Sequence, residues 1–263
     1  MQNVTGGVLL AAALVATAAI GTQAAPASAG KPTIILIHGA FAESSSWNPV
    51  IKRLLGDGYT IIAVAIPLRG VKTDAAYLSA VIGSVPGPIV LVGHSYGGEV
   101  ISGASDPSGK VKALVYVSGL APEIGESANA IVARFPGSTL GPTLAPPVPL
   151  PGGGKDLYIL PAKFHAQFAA DLSAADAAEM AVTQRPITEA AFGETAVAAT
   201  WKTIPSWFIF GSLDKNIPPA AHSFMAHRAH GKEILEIQGS SHVVMLSHPD
   251  DVAALIKRAA LAK

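Results

Sequence analysis

Short apolar runs recur along the chain, separated by segments of helix length. Residues 33–38 form the first such run, rich in β-branched side chains and suited to a strand buried on both faces. Residues 60–66, 89–92, 111–117, 206–210 and 233–237 repeat the pattern. Helix-length segments follow at 47–55, 74–82, from Glu99 onward, and at 220–230 and 250–262. Strand–helix alternation of this kind predicts an α/β fold, a doubly wound and mostly parallel sheet covered on both faces. Residues 121–200 break the rhythm, since they separate two late core strands by far more than a crossover needs. This insertion has a Pro/Gly-rich stretch at 141–154 and then helical signals. Ser173 has the position of an N-cap, with Asp176 three residues on. The insertion reads as a helical cap, with Phe164, Phe168, Met180 and Phe192 as candidate pocket lining or as glue between cap and core.

The N-terminus follows another logic. Residues 8–20 are almost unbroken Val, Leu, Ala and Ile, and small residues ending in Ala27-Ser28-Ala29 follow. An apolar run of this length ahead of a small-residue site predicts a secretory leader over residues 1–29, although no Lys or Arg precedes Lys31. The run is too short to span a bilayer comfortably. The expected product is a periplasmic or secreted protein with one domain over 30–263; the alternative is a cytoplasmic protein in which residues 1–29 are a disordered Ala-rich leader or follow a start codon placed too early.

Composition narrows the chemistry. Eighteen basic and eighteen acidic side chains cancel, which disfavours nucleic acid and anionic membrane as partners. The chain has no cysteine, so disulfides, zinc–thiolate sites and cysteine nucleophiles are excluded. Half the residues are hydrophobic, enough for one sizeable core.

Candidate chemistry begins at Gly93-His94-Ser95-Tyr96-Gly97-Gly98, which follows an apolar strand and precedes a helical segment. Gly-x-Ser-x-Gly in that context is the pattern of a nucleophile elbow, a turn so tight that side chains two residues either side of the serine would collide. A serine hydroxyl needs a base, and the base an orienting acid, in the chain order Ser, Asp or Glu, His. His242, in the loop after the strand at 233–237, is the candidate base. Asp214, just after the strand at 206–210, is the candidate acid, with Asp74 and Glu99 as outsiders. The other histidines read differently: His38 as a backbone organiser, His94 as pointing away from the nucleophile, and His165, His222, His227, His230 and His248 as solvated helix or cap residues. Asp106, Asp171, Asp176, Asp250 and Asp251 read as solvated charges or caps. The backbone N–H groups of Tyr96 and Ala40 are the expected oxyanion donors. Gly39 lets the first loop approach closely, and with Phe41 it belongs to the expected substrate pocket.

These features together resemble the α/β-hydrolase superfamily from Thr33 to the C-terminus. His38-Gly39-Ala40-Phe41 through Ser46-Trp47, the elbow, and Ser241-His242 look most like small bacterial hydrolases related to plant methylesterases and hydroxynitrile lyases. The resemblance implies a carboxylic-ester hydrolase with a Ser95–His242–Asp214 triad, a helical cap, and no metal or organic cofactor. The lyases of that group carry a bulky hydroxylated residue where this chain has Gly39, and a lysine where it has Val243. Hydrolysis is therefore expected over lyase chemistry, and the apolar cap with Phe41 suggests a small to medium lipophilic acyl or aryl ester. The alternatives are a cofactor-free haloperoxidase or perhydrolase, and a non-catalytic protein that binds a ligand in the same pocket.

Overall fold

The computed structural model describes residues 1–2 and 30–262, so the leader expected over 1–29 lies, from residue 3 on, outside the described residues. From Lys31 the chain alternates β1 (Thr33–Ile37), α1 (Asn48–Gly56), β2 (Ile61–Val64), α2 (Val71–Ser84), β3 (Ile89–His94), α3 (Tyr96–Gly103) and β4 (Val111–Val117). An insertion then carries α4 (Ala128–Ala133), β5 (Val148–Pro149), β6 (Lys155–Leu157), α5 (Pro161–Phe168), α6 (Ala174–Thr183), β7 (Ile187–Thr188) and α7 (Glu189–Gly193). The core resumes with β8 (Ser206–Gly211), α8 (Pro219–Arg228), β9 (Glu233–Ile237), α9 (Val244–Ser247) and α10 (Pro249–Leu261).

Six strands form one sheet in the order β2-β1-β3-β4-β8-β9, and every pairing in it is parallel. This is the doubly wound parallel sheet that the strand–helix alternation predicts. The strands β1, β3 and β8 are buried along their whole length, as near-continuous apolar runs require. The edges depart from that expectation. β2 is half-buried over most of its length, and β9 reads Glu-Ile-Leu-Glu-Ile with only intermediate or full exposure, because an edge strand has a neighbour on one side only.

Strand order reverses between β1 and β3, since the chain places β2 on one side of β1 and β3 on the other. Ligands in open parallel sheets bind in the crevice that such a switch opens at the carboxyl ends of the strands. The loops after β1 and β3 meet there because Ile37 pairs with Gly93. At the other end of the crevice, pairing of Gly211 with Ile237 brings the loops after β8 and β9 together.

Residues 121–200 carry more than helices: β5, β6 and β7 form a small antiparallel sheet. Ser173 caps α6 as its sequence predicts, its side chain accepting the Asp176 N–H. No helix among the described residues is long and apolar enough to cross a membrane.

The close packing of α3 against the strand ends sets a stability contrast. A Cβ on Gly98 would stand 2.3 Å from the Leu120 carbonyl oxygen, whereas one on Gly83, inside α2, would meet nothing within 4 Å. Gly98→Ala is expected to destabilise by about 2 kcal/mol or more through backbone displacement, and Gly83→Ala to stabilise by about 0.5–1 kcal/mol. Urea unfolding midpoints of the two variants check this; equal shifts would contradict the packing.

Candidate active site

Ser95 stands at the turn between β3 and α3 with φ 53° and ψ −123°, a left-handed backbone that a serine adopts only under constraint. Glycine makes the turn possible. A Cβ on Gly93 would lie 2.5 Å from the Gly97 carbonyl oxygen, and one on Gly97 2.6 Å from that of Ile37. Gly39 closes the same space from the β1 side, where a Cβ would come within 2.5 Å of the Ser95 Cβ. Gly39 thus packs against the serine and is not among the residues lining the cavity above it, although its sequence position had suggested pocket lining.

The loop after β1 is oriented by His38. The Ile66 N–H donates to His38 Nε2 at 3.0 Å, so the ring proton sits on Nδ1, which donates to the Gly39 carbonyl at 2.9 Å. No peptide bond among the described residues is cis. The trans peptide that follows therefore turns the Ala40 N–H to the side opposite that carbonyl. Phe41 is itself left-handed (φ 58°) and donates its N–H to the Arg185 carbonyl of the insertion at 3.0 Å.

Asp214 and His242 meet at the other end. His242 Nδ1 donates to Asp214 Oδ2 at 2.6 Å. His242 Nε2 is buried without a protein partner, and His242 lines the same cavity as Ser95. Asp214 Oδ1 accepts the N–H groups of Asn216 (2.8 Å) and Ile217 (3.0 Å). Burial alone would push the Asp214 carboxyl up, but the neighbouring His242 charge and the hydrogen bonds from His222 and His242 outweigh it. The carboxyl is held well below the usual range.

Four charged or ionisable residues read as peripheral or as outsiders stand elsewhere. His222 is not solvated: it is buried, and its Nε2 donates to Asp214 Oδ2 at 3.1 Å. Asp171 is half-buried and accepts the Ser240 hydroxyl at 2.9 Å and the Ser241 hydroxyl as well, tying the insertion to the loop that carries His242. Asp74 accepts the Tyr96 hydroxyl at 2.8 Å and so anchors the residue after Ser95. Glu99 is fully enclosed in α3, one turn beyond Ser95. His94 donates from Nε2 to the His242 carbonyl at 3.2 Å, so the elbow also touches the loop of the candidate base.

Above Ser95 lies a cavity of about 300 Å³. Phe41, Phe168 and Phe192 line it, and Phe168 packs its ring against His242 at 5.0 Å between centroids. Phe164 does not reach the cavity; it is fully buried behind Phe168. Met180 faces a separate groove with Glu43 and Asp176. Leu120, Val132 and Leu140 complete the apolar wall. Sequence reasoning missed these three, since an isolated apolar residue in a loop or short helix carries no chemical signature.

Residues 34–255 match the Alpha/beta hydrolase family. The chain belongs to this family. Among curated relatives of this α/β hydrolase, the Alpha/beta hydrolase nvfD of Aspergillus novofumigatus is 26% identical over 88% of this chain and 97% of its own. Methylesterase 3 of Arabidopsis thaliana is 24% identical over 86% of this chain and 95% of its own. The crystal structure of polyneuridine aldehyde esterase superposes with a TM-score of 0.74 at 19% identity, covering 87% of this chain and 99% of that one. At that identity the likeness is one of fold.

Asp214, His222 and His242 also have the composition of a metal site, their ligand atoms lying within 4.8 Å of one another. In this α/β hydrolase both imidazoles turn an N–H toward Oδ2, and the carboxylate already accepts four donors. A cation there would have to displace both ring protons. The donor set fits a hydrogen-bonded cluster.

Glu99 has a consequence for stability. Burial raises its carboxyl well above the ordinary value, and the nearby Glu194 adds to the effect. The folded state therefore keeps a proton that the unfolded chain has lost, and this group's contribution falls as pH rises from the unfolded pKa through the folded one. Glu99→Gln is expected to flatten that fall, with the gain over wild type growing from about pH 5 toward pH 8. Melting temperatures across that range test it; a parallel offset at every pH would contradict it.

Proposed function

We propose that this protein is a serine hydrolase that cleaves carboxylic esters through an acyl-enzyme. Ser95 is the nucleophile, His242 the base and Asp214 the acid that orients it. One observation carries the reading. His242 is tied by Nδ1 to a buried, ionised carboxylate, while its unpartnered Nε2 belongs to the residue that shares a cavity with Ser95. A neutral imidazole held in that tautomer is what a serine hydroxyl needs to lose its proton.

In the first step Ser95 Oγ bonds to the ester carbonyl carbon and its proton passes to His242 Nε2. Asp214 stabilises the imidazolium, and the Ala40 and Tyr96 N–H groups receive the oxyanion. The carbon–oxygen bond to the alcohol then breaks, and the alcohol leaves with the proton from His242. Water gives its proton to the same nitrogen and attacks the acyl carbon; the acyl carbon–Oγ bond then breaks, Ser95 Oγ takes that proton back from His242, and the acid leaves.

The cavity supports a substrate class. About 300 Å³ is at the lower end for small-molecule sites, and among the described lining residues there is no Lys, Arg, Asp or Glu. An uncharged, small to medium lipophilic acyl or aryl ester suits that lining. The relative named Methylesterase 3 supports ester cleavage as the reaction. Residues 121–200 act as the cap over this pocket, contributing Phe168 and Phe192. Export through the leader at 1–29 belongs to the same proposal, supported by the apolar run and Ala27-Ser28-Ala29.

A fluorophosphonate should add once to the wild type and not to Ser95→Ala, read by intact mass, with ester turnover lost in the variant. An unlabelled but folded wild type would favour the ligand-binding reading. Turnover should fall on acidification, because a general base must be free to accept the serine proton. A rate unchanged down to about pH 4 would remove His242 from the mechanism. Esters bearing a carboxylate should react about 100-fold more slowly than neutral isosteres, since the lining offers the charge no partner. N-terminal sequencing of exported protein should begin at Gly30.

A further inference from the structure

Asp214 is served by a second histidine that no triad requires. His222 lies in the first turn of α8, eight residues after Asp214, and its Nε2 reaches Asp214 Oδ2, the same oxygen that accepts His242 Nδ1. The side chains of His222 and Asp214 are 2% and 0% exposed, so water does not compete for the bond. The other oxygen, Oδ1, is already taken by two backbone N–H groups.

The imidazole of His222 is held rigidly. It stacks on Phe210 of β8, the strand that leads to Asp214, with centroids 5.0 Å apart and planes 20° from parallel. Pro218 and Pro219 stiffen the start of its helix. Because Oδ2 only accepts, His222 Nε2 carries a proton in either charge state of the ring.

We propose that His222 is a positioning residue for the hydrolysis reaction: its Nε2–H fixes Asp214 Oδ2 in the plane of His242 and shares that oxygen with the base. The inference rests on the reading of Ser95, His242 and Asp214 as a triad. Two backbone donors hold Oδ1, but the carboxylate still turns about its bond to Cβ, and the His222 N–H limits that turn from a side His242 does not occupy. By drawing on the same lone pairs, it also weakens the hold of Oδ2 on the His242 proton. The titratable groups facing this cluster are Asp214, His222, His242 and His94, whose ring lies 4.8 Å from that of His242.

The test uses fluorophosphonate labelling of Ser95 in the full chain, which needs no knowledge of the ester. His222→Phe keeps the stack on Phe210 and removes the donor, whereas His222→Gln restores an N–H. Labelling of His222→Phe should slow about tenfold or more, and the acid limb of its rate should move to higher pH, with His222→Gln recovering most of both. Wild-type rate and wild-type limb in a folded His222→Phe would overturn the proposal. Long-range 1H–15N NMR of the wild type gives a readout that survives misfolding of the variant. His222 should be protonated at Nε2, and a ring protonated only at Nδ1 would overturn the proposal outright. A wild type that fails to label refutes the triad reading itself, a result distinct from any difference between variants.

Discussion

Asp214 carries a charge that the fold removes almost entirely from water, and the geometry around it follows from the need to compensate that charge. Leaving an ionised carboxylate unpaired in a protein interior costs several kcal/mol, so donors must converge on it from every side. They come from three elements: the Asn216 and Ile217 amides of its own loop, His222 of α8, and His242 of the loop after β9. Meeting this demand fixes which nitrogen of His242 is free.

The insertion is bound into the same network. Gln167 of α5 donates from Nε2 to the Lys215 carbonyl (2.9 Å) and the Asn216 side chain (3.1 Å), bracing the loop that holds Asp214. Asp171 receives Ser240 and Ser241 just ahead of His242, and the hydroxyl bonds hold its carboxyl below the ordinary range although partial burial works the other way. Phe168 lies between these two ties and presses on the His242 ring. The insertion, which lines part of the cavity, thus also holds the loops that carry Asp214 and His242.

At the opposite end of the crevice the constraint is steric. β1 and β3 come so close at their carboxyl ends that Gly39, Gly93 and Gly97 leave no room for a Cβ, and Ser95 is driven into a left-handed backbone. Tyr96, the residue that follows, is fixed at its far end by Asp74. A buried carboxylate whose pKa is raised by desolvation therefore lies beneath the elbow, opposite in sign to the depressed Asp214.

Much of this was legible in the chain. Apolar runs interrupted by helix-length segments determined the parallel sheet, because a strand buried on both faces has no polar side to show. The elbow glycines, the late aspartate and the histidine before the last helices were readable because tight turns and strand ends restrict which residues fit. The sequence did not reveal partners brought together by folding. His222 has a helical, polar context and Asp171 a surface-like one, yet both are drawn inward by contacts with residues 8 and about 70 positions away. Phe164 and Phe168 are indistinguishable by type and spacing, but only the second reaches the cavity. Local sequence determines backbone conformation and side-chain chemistry. Which polar group finds which partner depends on long-range packing, and only the tertiary structure decided that.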